Sequence, residues 1–227
     1  NLVPISIGNS ESLKVGDLAV AIGHPLTLGA APTVTTGVVS ALERRLDVGS
    51  EAMDSGVTLF GLIQTDAPIT RGSSGGALIN NNGELIGITT AIATADVGAE
   101  GLGFAVPVNL ALGIADDLLK EGRILHAFLG ILGAQHFDTA DDGARIFSGV
   151  LIQELYGPGN EVFAIGKAGA SAGDIIKKIN GINVKTLDGL ITVLRQKRAG
   201  DTVEIEIQRN SQTITLVFEL DLRPSDV

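Results

Sequence analysis

Residues 72–79 read Gly-Ser-Ser-Gly-Gly-Ala-Leu-Ile, a glycine-rich turn that carries two serines and leads directly into a short apolar segment. Glycines on both sides of a serine let the backbone turn sharply and approach another molecule closely. Such a turn presents Ser74 as a candidate nucleophile, and it can direct neighbouring backbone N–H groups toward one point, as an oxyanion hole requires. The sequence therefore predicts a nucleophile turn at Ser74.

The pattern Gly72-x-Ser74-x-Gly76 is by itself compatible with several kinds of site. It fits the nucleophile elbow of α/β-hydrolases, in which a strand leads to the serine and a helix follows. Here a strand, an Asn82-Gly83 turn signal and another strand follow the serine, and no strand–helix alternation precedes it. A phosphate-binding loop would place a lysine after the glycines, and none is present there. The context favours a nucleophile on an all-β domain, with a plain surface turn as the remaining alternative.

The composition describes a β-rich chain with an acidic surface. Its 227 residues allow one large domain or two of ordinary size. They include 30 glycines, one tyrosine and no tryptophan, and 44% are hydrophobic, which suits β-rich architecture with many turns. The formal charge is −10, from 16 basic and 26 acidic residues, and no basic stripe is present. These features argue against nucleic acid and against anionic membranes as partners.

The sequence also lacks the residue clusters that hold cofactors. The absence of cysteine excludes disulfides, zinc-thiolate sites and cysteine catalysis. The acidic pairs Asp116-Asp117 and Asp141-Asp142 have no further ligands at the spacing of a calcium loop, so we expect neither a metal nor another cofactor. No apolar run reaches the roughly 18 residues of a membrane span. The opening Asn1-Leu2-Val3-Pro4 is neither an initiator methionine nor a signal peptide, and we expect the chain to begin inside a longer precursor.

Short strand-like segments separated by turn residues occupy the first half of the chain, a pattern typical of a sandwich or barrel. Asn82-Gly83 predicts a two-residue type I′ hairpin turn between two of these strands. Long loops are predicted at 43–58 and 94–101, where recognition often resides. The predicted strands are 18–22, 33–42, 59–65, 76–79, 85–93 and 103–106, which suffice for one small closed barrel.

A helix and a second unit follow the predicted barrel. The helix has Asn109 as its expected N-cap and ends at Gly122. A second helix at 187–197 has apolar residues at i, i+3, i+4 and i+7. The strand-like segments of the second unit are 129–135, 149–155, 174–179, 203–208 and 213–220.

Seven short motifs lie in a fixed order between residues 14 and 107. They are Lys14-Val15-Gly16-Asp17, Ala21-Ile22-Gly23-His24-Pro25, Thr36-Gly37-Val38-Val39-Ser40, Ile63-Gln64-Thr65-Asp66-Ala67, Gly72 to Gly76, Gly83-Glu84-Leu85-Ile86-Gly87-Ile88 and Gly103-Phe104-Ala105-Val106-Pro107. Together they resemble the C-terminal barrel of an HtrA/Deg-type trypsin-like serine protease. Phe128-Leu129-Gly130-Ile131, residues 169–176 and Asn180-Gly181 resemble the PDZ domain that follows the protease in that family.

The resemblance implies a mostly β chain, in which a six-stranded antiparallel barrel of the trypsin-like type precedes a PDZ domain of the α+β class. The implied boundaries are an interdomain lead-in at 1–12, the barrel with its closing helix at 13–122, a linker at 123–127, the PDZ domain at 128–222 and a tail at 223–227.

The resemblance also implies the site residues of both domains. Ser74 would be the acylated serine, and the N–H groups of Gly72 and Ser74 would form the oxyanion hole. The strand Ile88-Thr89-Thr90-Ala91 would line the primary specificity pocket and pair with the substrate backbone. In the PDZ domain, hydrophobic C-terminal peptides would bind a groove lined by Phe128, Leu129, Gly130, Ile131, Leu190 and Leu194. The alternative is that the four residues Leu129, Ile131, Leu190 and Leu194 belong to the core.

The chain departs from the family pattern beside the nucleophile. Ser73 stands where the family usually has asparagine, and Thr70-Arg71 stands where it usually has Asn-Pro. These substitutions adjoin the oxyanion loop, so they make its geometry the first feature to examine. Asp66 is expected, by analogy, to support the loop before Ser74 rather than to pair with an imidazole.

The catalytic base and acid are the larger departure. The family keeps its catalytic histidine and aspartate in an N-terminal barrel, ahead of the segment where this chain begins. None of the histidines present, His24, His126 and His136, occupies the family's catalytic position, and each is expected to be structural or exposed. The chain alone is therefore predicted to be inactive or nearly so, because a serine hydroxyl is a weak nucleophile without an oriented imidazole.

Two functions of different classes follow from the sequence. The first is a serine endopeptidase that degrades unfolded or misfolded proteins in the cell envelope, periplasmic or extracytoplasmic, anchored through an N-terminal segment and assembled as a homotrimer. Its His and Asp would be supplied by the first barrel. The alternative is a catalytically silent protein that binds peptides through its PDZ groove.

Overall fold

The computed structural model describes residues 3–24, 31–48, 57–70, 72–92, 102–157 and 162–224. The chain divides into two compact units, Asn1–Gly122 and Arg123–Val227. Of the helices in these described ranges, none combines the length and apolar character that a bilayer span requires.

The first unit is a closed antiparallel barrel, as the sequence predicted. Its strands are β1 (Leu18–Gly23), β2 (Thr33–Val48), β3 (Val57–Thr65), β4 (Ala77–Ile79), β5 (Leu85–Ile92) and β6 (Gly103–Pro107). They follow the order β1-β2-β3-β6-β5-β4, and pairing of β4 with β1 closes the barrel. Each strand contributes a fully buried apolar residue to the interior, namely Ala19, Val39, Ile63, Leu78, Ile86 and Ala105.

The hairpin of β2 and β3 is longer than predicted, because residues assigned to the 43–58 loop extend both strands. Register shifts interrupt the pairing between Val39 and Leu46, and Glu43 has a φ of 55°. Bulges of this kind let a strand with polar residues continue while it twists. Residues 49–56, between β2 and β3, and the predicted loop 94–101, between β5 and β6, lie outside the described residues.

The turn between β4 and β5 differs from the predicted type I′ turn at Asn82-Gly83. The N–H of Gly83 donates to the carbonyl oxygen of Asn80 at 3.1 Å, so Asn80 to Gly83 form the turn. Gly83 alone of these residues has a positive φ, 76°. The side chain of Asn80 explains the change, because its Oδ1 accepts from the N–H groups of both Asn82 and Glu84 at 3.0 Å.

Helix α1 (Val108–Glu121) closes the first unit. Its C-cap is Gly122, with a φ of 67°, as predicted. Asn109 is not the N-cap, because the helix already begins at Val108. The hydroxyl of Ser10, in the lead-in, instead accepts from the Asn109 N–H at 3.2 Å, and Asn109 Oδ1 accepts from the Ser10 N–H at 3.1 Å. A residue distant in sequence thus replaces the local cap.

The second unit contains the strands β7 (Ala127–Phe128), β8 (Ile131–Thr139), β9 (Arg145–Leu155), β10 (Ile175–Ile179), β11 (Ile182–Asn183), β12 (Thr202–Arg209), β13 (Gln212–Glu219) and β14 (Asp221–Leu222). Five of them form a sheet in the order β13-β12-β10-β9-β8, β11 pairs with β10, and β7 and β14 form a separate pair. The helices are α2 (Ala164–Lys167) and α3 (Leu187–Arg195). One core, rich in isoleucine and valine, lies between the sheet and these helices.

Candidate active site

Ser74 lies in the loop that joins β3 to β4, and its side chain is exposed. Its hydroxyl donates a hydrogen bond to the carbonyl oxygen of Thr90 on β5, at 2.9 Å. No imidazole bonds to this hydroxyl within the ranges that the structure describes. The loop therefore presents the serine at the rim of the barrel, next to the strand that was predicted to meet the substrate.

Glycines give the Ser74 loop its shape. Gly72 and Gly75 have φ values of 96° and 86°, a region that residues with a side chain rarely adopt. Gly76 is required for a different reason, since an added Cβ would contact the carbonyl oxygen of Ile22 and lie 2.9 Å from that of Ser73. The backbone of the loop thus packs directly onto the end of β1, without intervening side chains.

The amides of this loop separate into two groups. The N–H of Ser73 donates to Thr70 O at 3.0 Å, that of Gly75 to Thr89 O at 2.7 Å, and that of Gly76 to Ser73 O at 3.0 Å. The N–H groups of Gly72 and Ser74 donate to no acceptor among the described residues. These are the two amides that the sequence predicted for the oxyanion hole.

The strand predicted to line the specificity pocket has two kinds of side chain. Ile88 and Thr90 are partly exposed, and the side chain of Ala91 lies outside the described set. Thr89 is fully buried, and its hydroxyl donates to the carbonyl oxygen of Ser73 at 2.5 Å. The side chain of Thr89 therefore contacts the nucleophile loop from inside the barrel, a contact that the sequence motifs did not indicate.

A small cavity of about 70 Å³ lies behind the loop. Ser73 lines this cavity, and its side chain packs closely on β1. A Cβ added to Gly23 would lie 2.8 Å from the Cβ of Ser73. Arg71, the other departure from the family pattern, lies outside the described residues. The cavity lining is Ala21, Ile22, Gly23, Thr33, Thr35, Pro68, Ile69, Thr70, Ser73 and Thr89.

Asp66 connects the start of the loop to β2. Its Oδ1 accepts from the N–H of Val38 at 2.7 Å, and a Cβ added to Gly37 would contact both this oxygen and the N–H of Ala67. Thr65 adds to the connection, because its hydroxyl donates to Val38 O at 2.8 Å and accepts from the Ala67 N–H. Asp66 thus contacts backbone, and the hydrogen bonds that the structure gives its carboxylate include no imidazole.

Two of the three histidines, His24 and His136, have surroundings that the structure describes. His24 is exposed at the end of β1. His136 has both of its polar neighbours on one ring nitrogen, with Nδ1 2.7 Å from Ser148 Oγ and 3.9 Å from Asp138 Oδ1. A relay needs the serine and the carboxylate on opposite nitrogens, so this group cannot act as a triad.

In the second unit, β8 lies at the end of the sheet order, and one of its edges has no strand partner in the described ranges. Gly130, just before this strand, has a φ of 70°, and an added Cβ would lie 2.7 Å from the Cβ of Phe163. The ring of Phe163 packs edge-on against Phe128, with centroids 5.2 Å apart. The N–H groups of Leu129 and Gly130 donate to no described residue.

The apolar residues predicted for the groove are buried to different extents. Leu129 and Leu190 are fully buried in the core, whereas Ile131 and Leu194 pack at its edge and are partly exposed. Leu187, the first apolar residue of the predicted helix, begins α3, and its Cδ1 would lie 3.3 Å from a Cβ added to Gly133. The glycine therefore makes room for the leucine between strand and helix.

Gln135 joins the two walls of this groove. Its Nε2 donates to the carbonyl oxygens of Gly149 at 3.0 Å and of Lys185 at 2.9 Å, and its Oε1 accepts from the N–H of Leu187 at 3.1 Å. The amide thus holds β8 at a set distance from the N-terminus of α3. Sequence reasoning missed this residue, because a single glutamine within a strand carries no local signal.

The closed barrel with a serine in a glycine turn, followed by a sheet with an open edge strand beside a helix, defines a trypsin-like peptidase domain followed by a PDZ domain. The family model for the trypsin-like peptidase domain matches residues 1–88, and that for the PDZ domain matches residues 135–220.

Comparisons with individual proteins agree. The periplasmic pH-dependent serine endoprotease DegQ of Escherichia coli is 40% identical over 99% of this chain and 47% of its own length. The serine protease PepD of Mycobacterium tuberculosis is 41% identical over 91% of this chain and 43% of its own. The solved structure of the HtrA-type protease AlgW with a tripeptide is 30% identical, with a TM-score of 0.65, over 99% of this chain and 71% of that one.

The chain belongs to the HtrA/Deg family of trypsin-like serine proteases, as its seven motifs predicted. It spans less than half the length of the two curated relatives.

Proposed function

We propose that this chain carries the nucleophile-bearing part of an HtrA-type serine endopeptidase. The observation that carries the proposal is the arrangement at the loop tip: the Ser74 hydroxyl is exposed, and the N–H groups of Gly72 and Ser74 are open beside it. An exposed hydroxyl flanked by two open amides is what acyl transfer requires, since one group attacks while the others stabilise the charge that develops.

The chemistry follows from this arrangement. Ser74 Oγ attacks the carbonyl carbon of a peptide bond, and the negative charge on the carbonyl oxygen is stabilised by the N–H groups of Gly72 and Ser74. An imidazole base takes the hydroxyl proton and returns it to the leaving amine, and water then hydrolyses the acyl ester. Thr90 O, which accepts from Ser74 in this structure, becomes available to a substrate backbone N–H once the hydroxyl turns to the base.

The base and its carboxylate are proposed to come from the first barrel, upstream of Asn1, or from another chain. This assignment is supported by the surroundings of two histidines of the chain: His24 is exposed at the end of β1, and the His136 ring faces Ser148 and Asp138. We further propose unfolded or misfolded proteins as substrates, a periplasmic or other extracytoplasmic location with a membrane anchor upstream, and a homotrimer. The relatives named as periplasmic proteases support the location.

Labelling and proteolysis test this proposal. The longer product of the same gene, read upstream of Asn1, should react with a fluorophosphonate probe and cleave casein, and Ser74→Ala should abolish both. The 227-residue chain should do neither at a measurable rate. A longer product that neither labels nor cleaves would refute the proposed protease.

A second function, peptide binding, is favoured by the open edge of β8 and by the Leu129 and Gly130 amides. An extended peptide would pair with β8, its C-terminal carboxylate would bind these amides, and apolar side chains would enter between Ile131, Leu187 and Leu194. Titration of the chain with an apolar C-terminal peptide, free and amidated, tests this. The free acid should bind more tightly, and equal affinity for both forms would exclude the carboxylate site.

A further inference from the structure

We infer that Thr89 is a positioning residue, which orients the peptide unit between Ser73 and Ser74 so that the Ser74 N–H faces the substrate. The inference rests on the proposed function, because it assumes that Ser74 is the residue acylated. It concerns a side chain that the sequence motifs assigned to the specificity pocket, whereas the structure places its hydroxyl beneath the nucleophile loop.

Thr89 contacts the loop on both sides of Ser74. Its hydroxyl donates to the carbonyl oxygen of Ser73 at 2.5 Å. Its own carbonyl oxygen accepts from Gly75 N–H at 2.7 Å, and its N–H donates to Gly76 O at 3.0 Å. The two backbone bonds would form with any residue at this position, so the hydroxyl is the contribution that depends on threonine.

The hydroxyl controls the direction of the oxyanion donor through the geometry of one peptide unit. In a trans peptide the carbonyl oxygen of Ser73 and the N–H of Ser74 point in opposite directions. The described chain has no cis bonds. Because Thr89 is fully buried and holds the Ser73 oxygen toward the barrel interior, the Ser74 N–H must point outward, to the side on which the Ser74 side chain is exposed.

The neighbouring glycine fits this arrangement. A Cβ added to Gly76 would lie 2.9 Å from the Ser73 oxygen and 3.1 Å from Thr89 Oγ1, closer than such contacts are normally found. Gly76 also supplies the second donor to the Ser73 oxygen, at 3.0 Å. If the Thr89 hydroxyl is removed, the Gly76 N–H is the remaining donor to Ser73 O among the described residues. Gly76 belongs to the same loop, so the peptide unit between Ser73 and Ser74 can then rotate together with the loop.

Substitution by valine tests the inference, because valine keeps the shape of threonine and removes the donor. In the longer gene product, we expect Thr89→Val to lower kcat/KM about 10- to 100-fold, somewhat less than outright loss of an oxyanion donor. The loss should fall on kcat, with KM changed by less than about threefold, since the donor acts mainly in the transition state. Thr89→Ser keeps a hydroxyl and should retain activity within about threefold of the parent.

A second measurement separates positioning from loss of stability. A peptide aldehyde forms a tetrahedral adduct with the serine, so its inhibition constant should rise with Thr89→Val in proportion to the fall in kcat/KM. If Thr89→Val does not fold, Thr89→Cys, with its weak S–H donor, takes its place with the same expectation. Activity equal to the parent in the folded variant, or an equal loss in Thr89→Ser, would overturn the inference.

The controls distinguish this failure from failure of the proposed function. If the parent is active and Ser74→Ala is inactive while Thr89→Val matches the parent, only the positioning role is wrong. If Ser74→Ala remains as active as the parent, the nucleophile itself is wrong, and the inference fails with it.

Discussion

Replacing Gly76 by alanine should destabilise the barrel through a clash rather than through backbone strain. The added Cβ would contact Ile22 O and lie 2.9 Å from Ser73 O, both of them backbone atoms that cannot rotate away. Overpacking at such a site costs about 1–3 kcal/mol, and the upper end applies where the backbone itself must move, so we expect about 3 kcal/mol.

Gly75→Ala is the matched control, one residue away. Gly75 has a φ of 86°, but a Cβ there would meet no atom within 4 Å. Its cost is therefore limited to the left-handed conformation, about 1 kcal/mol. Gly75→Asn should cost less than Gly75→Ala, because asparagine tolerates positive φ better than alanine does.

Urea unfolding of the 227-residue chain measures these differences. With an m-value of about 2 kcal/mol/M, the barrel midpoint should fall by about 1.5 M for Gly76→Ala and by about 0.5 M for Gly75→Ala. Far-UV circular dichroism follows both units, whereas Tyr156, the only tyrosine in a chain without tryptophan, reports on the second unit. A Gly76→Ala barrel as stable as the Gly75→Ala barrel would refute the close approach of the loop to β1.

Further predictions concern the long hairpin and the groove. A hydrogen bond from Thr58 lowers the pKa of Asp47, and Arg45 lowers it further, so the stabilisation is present above about pH 4 and disappears as pH falls through the lowered pKa. Thr58→Val should therefore reduce the urea midpoint at pH 7, and the reduction should shrink as the pH is lowered through the pKa of Asp47. Gly130→Ala should abolish binding of a free C-terminal peptide in calorimetric titration, because its Cβ would collide with the fixed Phe163 ring. Gln135→Ala should weaken the same peptide about 5- to 10-fold, since it removes about 1 kcal/mol of hydrogen bonding between the groove walls, and unchanged affinity would contradict the bridging role.

The barrel could be predicted because its strands carry their signals locally. Alternating apolar residues and intervening turn residues located all six strands, and the apolar positions include the buried residue that each strand contributes to the core. The boundaries were less well predicted where polar residues continue a strand, as from Glu43 to Val48. There pairing with β3 and a bulge determine the structure, and neither is visible in the residues themselves.

The two Asn-Gly pairs show how far turn chemistry reaches. Asn180 and Gly181 both have positive φ, 47° and 77°, which is the geometry that a type I′ turn requires. Asn82-Gly83 has the same two residues, but the side chain of Asn80 accepts hydrogen bonds from two N–H groups and the turn is longer. An Asn-Gly pair therefore lies at both turns, and the residue two positions before Asn82 decides the type of the first of them.

The nucleophile loop was predicted from its own residues, but its orientation depends on a residue 15 positions later. The glycines determine that the chain can turn at Ser74, and they leave open which amides point inward and which point outward. That choice follows from Thr89, whose side chain and backbone hold Ser73 O, Gly75 N–H and Gly76 O toward the interior. Once these groups are fixed, the Ser74 N–H has only the outward direction available. A motif can thus point to a candidate nucleophile, whereas the donors that would stabilise its transition state are oriented by tertiary contacts that the motif does not contain.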